Sequence, residues 1–505
     1  MELERSEKPA RAEPGMRQVA RNTVFMLAGQ AGVKLLGFIF SVFVVRRLGA
    51  ADFGRYSAAL AFVAMFSVLT DLGTSQLSVR EMARLPQRAA SLLADLVGLR
   101  FVLSIAALFV IPAIARRLGE VDDMVFGIFL GSLTLVIYAA AGPVQSLLIA
   151  RERLDILSMA NVLNQALFIA LGTLALVLHS GFLGLLVAAL LAQGVSAAVS
   201  VVVAHRRLAF RIEAPSPRRW PPVLRSGLPF FISQVSDISM QRFDVVFLLF
   251  ALNEANVGWY SVAFNLPMTI LPLAQSLGLA LFPSLVRQHA SGAGSIRQTL
   301  QRAVRYVLLL SLPIAVGGCL LADRIVNLLY TSAFEPSVLT LRILLWTLPP
   351  LFLSEIVGRA GAVLHLEVGQ ARISIVTTLL SAVLVVAGVE AFGLVGAALA
   401  AVLTRLFVAG ATLRLIGPTL VLEGNVAPLL RIAAATVFMG AGLLLLLAFP
   451  PLLPASAVLA LLSLIGSGVG LYATAVLALQ AVDLSERRFL LDLASGAFRR
   501  LASRA

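Results

Sequence analysis

Runs of about 20 apolar residues, each bounded by charge or by Gly and Pro, recur along nearly the whole chain, and that length is what an α-helix needs to cross a bilayer. They fall near 22–45, 56–79, 90–112, 124–149, 159–178, 181–204, 227–250, 257–283, 303–322, 338–364, 370–389, 393–416, 430–449 and 454–479, making fourteen spans. In lipid every backbone polar group must be satisfied internally, so such runs fold as helices. The expected fold class is an all-α polytopic membrane protein with about 14 transmembrane helices. Composition agrees: 59% of the 505 residues are hydrophobic and 13% charged, with a mean hydropathy of +0.94. A soluble domain is about 45–50% apolar and about 25% charged.

The chain contains a weak copy of itself. Leu48–Ala59 (LGAADFGRYSAA) set against Leu252–Ala263 (LNEANVGWYSVA) matches Leu, Ala, Gly, Tyr, Ser and Ala without a gap. At the same offset Phe43 meets Phe247, Val42 meets Val246 and the polar Gln30 meets Gln234. Repeated halves around a central site are a common plan of secondary transporters. The longest inner connection, Ala204–Ser226, is rich in Pro and Arg and marks the boundary between repeats. The expected organisation is a disordered basic tail (1–21), a first lobe (22–204), an inter-lobe loop (205–226), a second lobe (227–416), two added spans (417–480) and a C-terminal tail (481–505). That last tail reads equally as a short amphipathic helix on the membrane surface or as a plain basic tail.

Charge sets the topology. The net charge of +14 is spread over short loops rather than gathered on one domain, which speaks for membrane orientation and against nucleic acid as a partner. With a cytoplasmic N-terminus, the opposite-side loops hold only Arg46, Arg47, Arg55, Arg116, Arg117 and Arg324 of the 40 Lys and Arg residues. The bias never inverts along the chain, so both termini are expected in the cytoplasm.

Charged residues inside spans are costly and usually face a cavity or one another. Lys34 shares a face of span one with Gln30 and Ser41. In span seven, Gln234, Asp237, Gln241 and Asp244 step by three and four and draw one polar stripe, with Arg242 beside it. If spans one and seven face each other, these residues line a water-filled cavity. Two readings stay open: internal pairing of Lys34 with Asp237 and of Arg242 with Asp244, or a substrate site whose cations hold an anionic head group. Asp71, Arg100, Arg359 and Arg405 form a second set of cavity candidates, each also readable as a helix-packing residue.

Several classes are disfavoured. The single Cys319 and the scattered His179, His205, His289 and His365 offer no redox or metal cluster, and no metal ligands or resident cofactor are expected. A GxxxxGK[ST] phosphate loop is lacking, and Gly466–Gly470 reads as a site of close helix packing. An integral glycosyltransferase needs a sizeable outer loop with carboxylates or a His, and the longest outer loop, around Ala322–Ser337, does not offer one.

The pieces RRLGAADFGRYSAA (Arg46–Ala59), DLGTSQLSVREMAR (Asp71–Arg84), LFPSLVRQ (Leu281–Gln288) and the stretch from Asp323 to Pro350 resemble the Wzx-type polysaccharide flippases of the MOP superfamily, relatives of the MATE exporters and lipid II flippases. The resemblance implies two six-helix lobes in a V around a central cationic cavity, two extra C-terminal helices, and alternating access. It implies a non-enzymatic transporter of the bacterial cytoplasmic (inner) membrane that moves oligosaccharide on undecaprenyl pyrophosphate for O-antigen, capsule or exopolysaccharide synthesis, among membrane lipids and alongside other polysaccharide assembly proteins. Lys34 and Arg242 would meet the pyrophosphate, and Gln30, Gln234 and Gln241 the sugar hydroxyls. Asp237 and Asp244 depart from a purely cationic cavity and point to H+ or Na+ coupling. The alternatives are a MATE-like cation or drug antiporter, a lipid II flippase, and a non-transporting scaffold of envelope synthesis.

Overall fold

A computed structural model describes residues 14–208, 213–290, 293–417, 425–449, 454 and 456–481. The described residues are helical with short turns, and no strand occurs among them. In order the helices are α1 (Pro14–Asp71), α2 (Thr74–Arg84), α3 (Ala89–Arg117), α4 (Asp122–Ala150), α5 (Leu154–Val177), α6 (Gly181–Leu208), α7 (Trp220–Ala251), α8 (Glu254–Ala290), α9 (Ala293–Leu329), α10 (Ser337–Leu344), α11 (Leu348–Val363), α12 (Glu367–Ile416), α13 (Val426–Ala448) and α14 (Ala457–Ala478). Among the described residues, ten helices are long and apolar enough to cross a membrane, or up to eleven with the bent pair Lys34–Asp71 and Thr74–Arg84. Trp220–Ala251, which carries Asp237, Arg242 and Asp244, is not among the ten. This is a multi-pass helical membrane protein.

Local chemistry sets the breaks. α1 turns at Gly49 (φ 75°) and α12 at Gly393 (φ 56°), in a region of backbone space that a Cβ disfavours. α1 is followed by Leu72 and Gly73, both at positive φ, and α2 leaves at 43° to it. α1 starts at Pro14, so helix reaches into the stretch expected to be disordered, and proline suits a first turn whose N–H has no helical partner. α7 likewise opens on Trp220 with Pro221 and Pro222 in its first turn, which shortens the inter-lobe loop. Arg116 and Arg117 end α3 and Asp122 and Asp123 begin α4, each matching the sign of the helix dipole.

Contacts divide the chain into two compact units, residues 1–47 with 69–228, and 48–68 with 229–505. The first has a core of Met82, Leu93, Leu96, Val144, Leu148 and Ile156, drawn from α2 to α5. In the second, Leu321 of α9 packs with Met439 and Leu443 of α13 and Leu461 and Leu464 of α14. The Tyr472 hydroxyl donates to the Leu309 carbonyl at 2.8 Å, and the Asn425 amide donates to the Gln301 carbonyl at 3.2 Å. The two added C-terminal helices are thus fastened to α9. Outward-facing apolar side chains such as Phe109 and Val437 suit a lipid environment.

Residues 48–68 dock in the second unit through the repeated segment itself. A Cβ on Gly54 would stand 1.7 Å from the Glu254 carbonyl oxygen, and one on Gly258 would stand 2.1 Å from that of Ala50. Arg55 adds an ion pair to Glu254 at 3.5 Å, and Phe62 meets Phe250 edge-on at 6.0 Å between centroids. Small residues let helix backbones approach this closely, a recurrent device in membranes.

Candidate functional site

The polar stripe of α7 divides. Asp237 and Gln241 are exposed, while Gln234 and Arg242 are half-buried. The Gln234 Oε1 atom is buried with no hydrogen-bond partner among the described residues. Asp244, one turn or two further on, is 6% exposed and points into its own unit. There the Tyr260 hydroxyl of α8 donates to Asp244 Oδ2 at 2.5 Å, and the Val245 N–H donates to Oδ1 at 2.8 Å.

Asp244 also lines a small cavity with Ser239, Thr347, Ser381, Thr404 and Arg405. Arg405 lies within electrostatic range of Asp244, Tyr260 and Asp237. Thr404 Oγ1 is buried and has no hydrogen-bond partner among the described residues. The cavity measures about 20 Å³, and a single water needs about 10–15 Å³. An ion or a water fits in it and a sugar does not, so the α7 stripe joins an exposed polar surface at Asp237 and Gln241 to an ion-sized, hydroxyl-lined pocket at Asp244.

Asp71, Arg100 and Arg359 have partners in their own units. Arg100, 2% exposed on α3, pairs with Asp71 at the end of α1. Its Nε and Nη2 donate to Thr74 Oγ1 at 3.0 and 2.7 Å, and Nη2 donates to Ser75 Oγ at 3.0 Å. The Ser75 hydroxyl donates to Asp71 Oδ1 at 2.6 Å, and the Thr74 hydroxyl donates to the Asp71 carbonyl at 2.6 Å. This network ties the broken α1–α2 span to α3, so Asp71 and Arg100 act as a structural clamp. On α11, Arg359 donates from Nε and Nη2 to Glu355 Oε1 at 3.1 and 2.6 Å, one turn away. Lys34 is exposed on α1 in the first unit, and the side chain of Gln30 lies outside the described residues.

Periodicity alone did not single out Tyr260, Thr404 or Glu355 as partners. Tyr260 was visible as a repeat residue, but its bond to Asp244 spans two helices, and helical spacing carries no signal for that.

The sequence pattern of the family described as "Polysaccharide biosynthesis protein" matches residues 19–289. A relative, the probable low-salt glycan biosynthesis flippase Agl15 of Haloferax volcanii, is 21% identical over 376 residues, which are 74% of this chain and 78% of that protein. Among solved structures, the lipid II flippase MurJ in an inward closed conformation aligns with a TM-score of 0.72 at 13% identity, covering 90% of this chain and 98% of that one. An inward-facing multidrug resistance MATE family transporter of the MOP superfamily aligns at 0.59 and 18% identity, covering 76% and 94%. At such identities these structures speak for a shared fold. The family pattern runs from α1 through α8 over more than half of the sequence, and the chain belongs to the polysaccharide biosynthesis protein family.

Proposed function

We propose that the protein is a flippase that carries a lipid-linked oligosaccharide across the bacterial cytoplasmic membrane by alternating access, with undecaprenyl pyrophosphate as the lipid carrier. The observation that carries this reading is the family match over residues 19–289 on a multi-pass helical fold. Two six-helix lobes are read from the repeat, and both termini would lie in the cytoplasm.

Lys34 and Arg242 contact the pyrophosphate in this proposal, since cations hold phosphate oxygens by charge-assisted hydrogen bonds. Gln30, Gln234 and Gln241 meet sugar hydroxyls. The bare Oε1 of Gln234 supports that role, as a buried acceptor without a donor gains from a ligand hydroxyl. Asp244, Tyr260 and Arg405 do not touch the glycan, because their cavity is too small. They form the place where H+ or Na+ couples to transport.

A second reading, a MATE-like cation antiporter, draws on the same Asp244 cavity. It would make Asp237 and Asp244 the cation site and leave Lys34 and the other basic residues structural. The deciding experiment compares a strain lacking the gene with strains restored by wild type or by Lys34→Ala at matched membrane levels. The flippase reading expects loss of surface glycan and accumulation of the lipid-linked unit in the deletion strain and in Lys34→Ala. Normal export in the deletion strain, with no redundant transporter present, would sink it.

A further inference from the structure

The first unit carries a groove of about 590 Å³ that holds none of the residues assigned to the glycan above, a size within the roughly 300–1,000 Å³ of ligand sites. Its walls are apolar: Leu93, Val97 and Phe101 of α3, Val144 of α4, and Val201 and Val202 of α6. Its end is polar, where His205 and Arg206 of α6 meet Glu213 and Pro215 of the inter-lobe connection.

The connection is fixed there by α3. Asp95, 3% exposed, accepts the Ser216 backbone N–H at 2.7 Å and pairs with Arg219 Nε at 2.8 Å. One turn on, Gly98 makes room for the proline ring, since a Cβ there would lie 2.6 Å from Pro215 Cβ. Glu213 and Pro215 therefore form a standing rim over an apolar slot. Phe101 and Val202 are exposed along it, so the slot opens toward surrounding lipid.

An apolar slot between spanning helices that ends at basic side chains has the chemistry of a lipid site, and such pockets on the cytoplasmic side hold anionic head groups. Arg206 and Arg207 are exposed at the end of α6, and Arg218 is exposed on the connection. Glu213 is the opposing charge, and its position on the rim limits the attraction to one modest preference. We propose that this groove holds one anionic glycerophospholipid, its acyl chain along Val97, Phe101 and Val202 and its phosphate beside Arg206. Only its placement in the inner leaflet rests on the topology of the flippase reading. Binding itself does not.

Trp220 provides the probe, because its ring lies beside Gly98, with Cζ2 3.4 Å from where a Cβ would stand. Trp259→Phe and Trp346→Phe leave Trp220 as the sole tryptophan of the three in the chain. The full-length protein is reconstituted in phosphatidylcholine vesicles that contain a minor fraction of chain-brominated phosphatidylglycerol or chain-brominated phosphatidylcholine. Quenching should favour the anionic lipid about five-fold, the effect of one basic side chain near an anionic surface. Arg206→Gln, an exposed change that leaves the core untouched, should bring the two lipids to parity. Glu213→Gln should widen their difference. Ala140 of α4 also lines the groove, and Ala140→Phe, which fills it, should reduce quenching by both. Equal quenching by the two lipids in wild type, or an unchanged preference in Arg206→Gln, overturns the proposal. Displacement of the brominated phosphatidylglycerol by undecaprenyl phosphate also overturns it, because the groove would then belong to the carrier lipid. No transport enters the measurement, so failure here and failure of the flippase reading are distinguishable.

Discussion

Gly54 and Gly258 hold equivalent places in the two copies of the repeat, and each lies against the backbone of the other's segment, Gly54 on Glu254 and Gly258 on Ala50. Ala50 and Glu254 are themselves equivalent at the same offset. The contact is therefore reciprocal, the form an isologous interface takes around a two-fold axis. Here the reciprocal contact joins two stretches of one chain, and the sequence match between them acquires a geometric counterpart.

Substitution at this contact should be costly because its partner is a backbone carbonyl, which no rotamer change moves aside. Gly54→Val is expected to lower stability in detergent by ~1–3 kcal/mol or more, the range of overpacking. Gly410→Val and Gly470→Val, where a Cβ meets nothing within 4 Å, serve as controls. Thermal unfolding of the purified proteins decides it, and equal melting of all three variants would refute the contact.

The Arg100 clamp predicts a structural phenotype. Arg100→Leu strands Asp71, and breaking a buried pair costs ~3–5 kcal/mol. Lysine cannot replace the fork that reaches Thr74, Ser75 and Asp71 together, so Arg100→Lys should recover only part of the loss. Membrane abundance should fall while export per molecule stays normal. A variant present at wild-type level with export abolished would instead place Arg100 in the transport path.

Tyr260→Phe removes the hydroxyl that donates to Asp244 and leaves a buried carboxylate short of a donor. The expected loss is ~1–3 kcal/mol, measured by thermal unfolding. Asp244→Asn keeps an oxygen for Tyr260 and removes the charge. If the cavity carries the coupling ion, this variant should lose the dependence of glycan transport on an imposed Na+ or pH gradient. Gradient dependence equal to wild type would rule that role out.

Asp95→Asn should loosen the connection between α6 and α7. Arg219 is part-exposed, so its ion pair is weakened by solvent, and the lost interaction is expected at about 1 kcal/mol. Trypsin should then cut at Arg218 and Arg219 several times faster in membranes that expose this face. Unchanged cleavage would mean that Pro215 packed on Gly98 suffices to hold the segment.

The parts legible in the sequence were those written in local pattern. Apolar run length gave the all-helical class but not the count, since ten or eleven described helices qualify as spans against fourteen apolar runs. The register of GRYSAA on GWYSVA marked the pair of glycines that touch. The stripe of α7 was visible because helical periodicity repeats every three or four residues. Its division was not, because the inward turn of Asp244 depends on Tyr260, Thr404 and Arg405, which arrive from α8 and α12. Asp71 and Arg100 stand out in the sequence as charges in spans, but the hydroxyls of Thr74 and Ser75 that complete their network carry no charge to mark them. The groove beside Arg206 was equally silent, since it exists only where Pro215 crosses Gly98.

The course of the backbone also determines how the protein comes apart. Residues 48–68 belong to the second unit although the sequence on both sides belongs to the first, so the chain passes between units three times. A nick in the connection before α7 does not release two halves, because the fragment holding residues 48–68 stays threaded into the other through Gly54 on Glu254 and Phe62 on Phe250. Two polypeptides divided there and produced together should form a noncovalent pair, in the manner of a swapped segment. The two repeated segments thus pack against each other inside one unit rather than standing one in each.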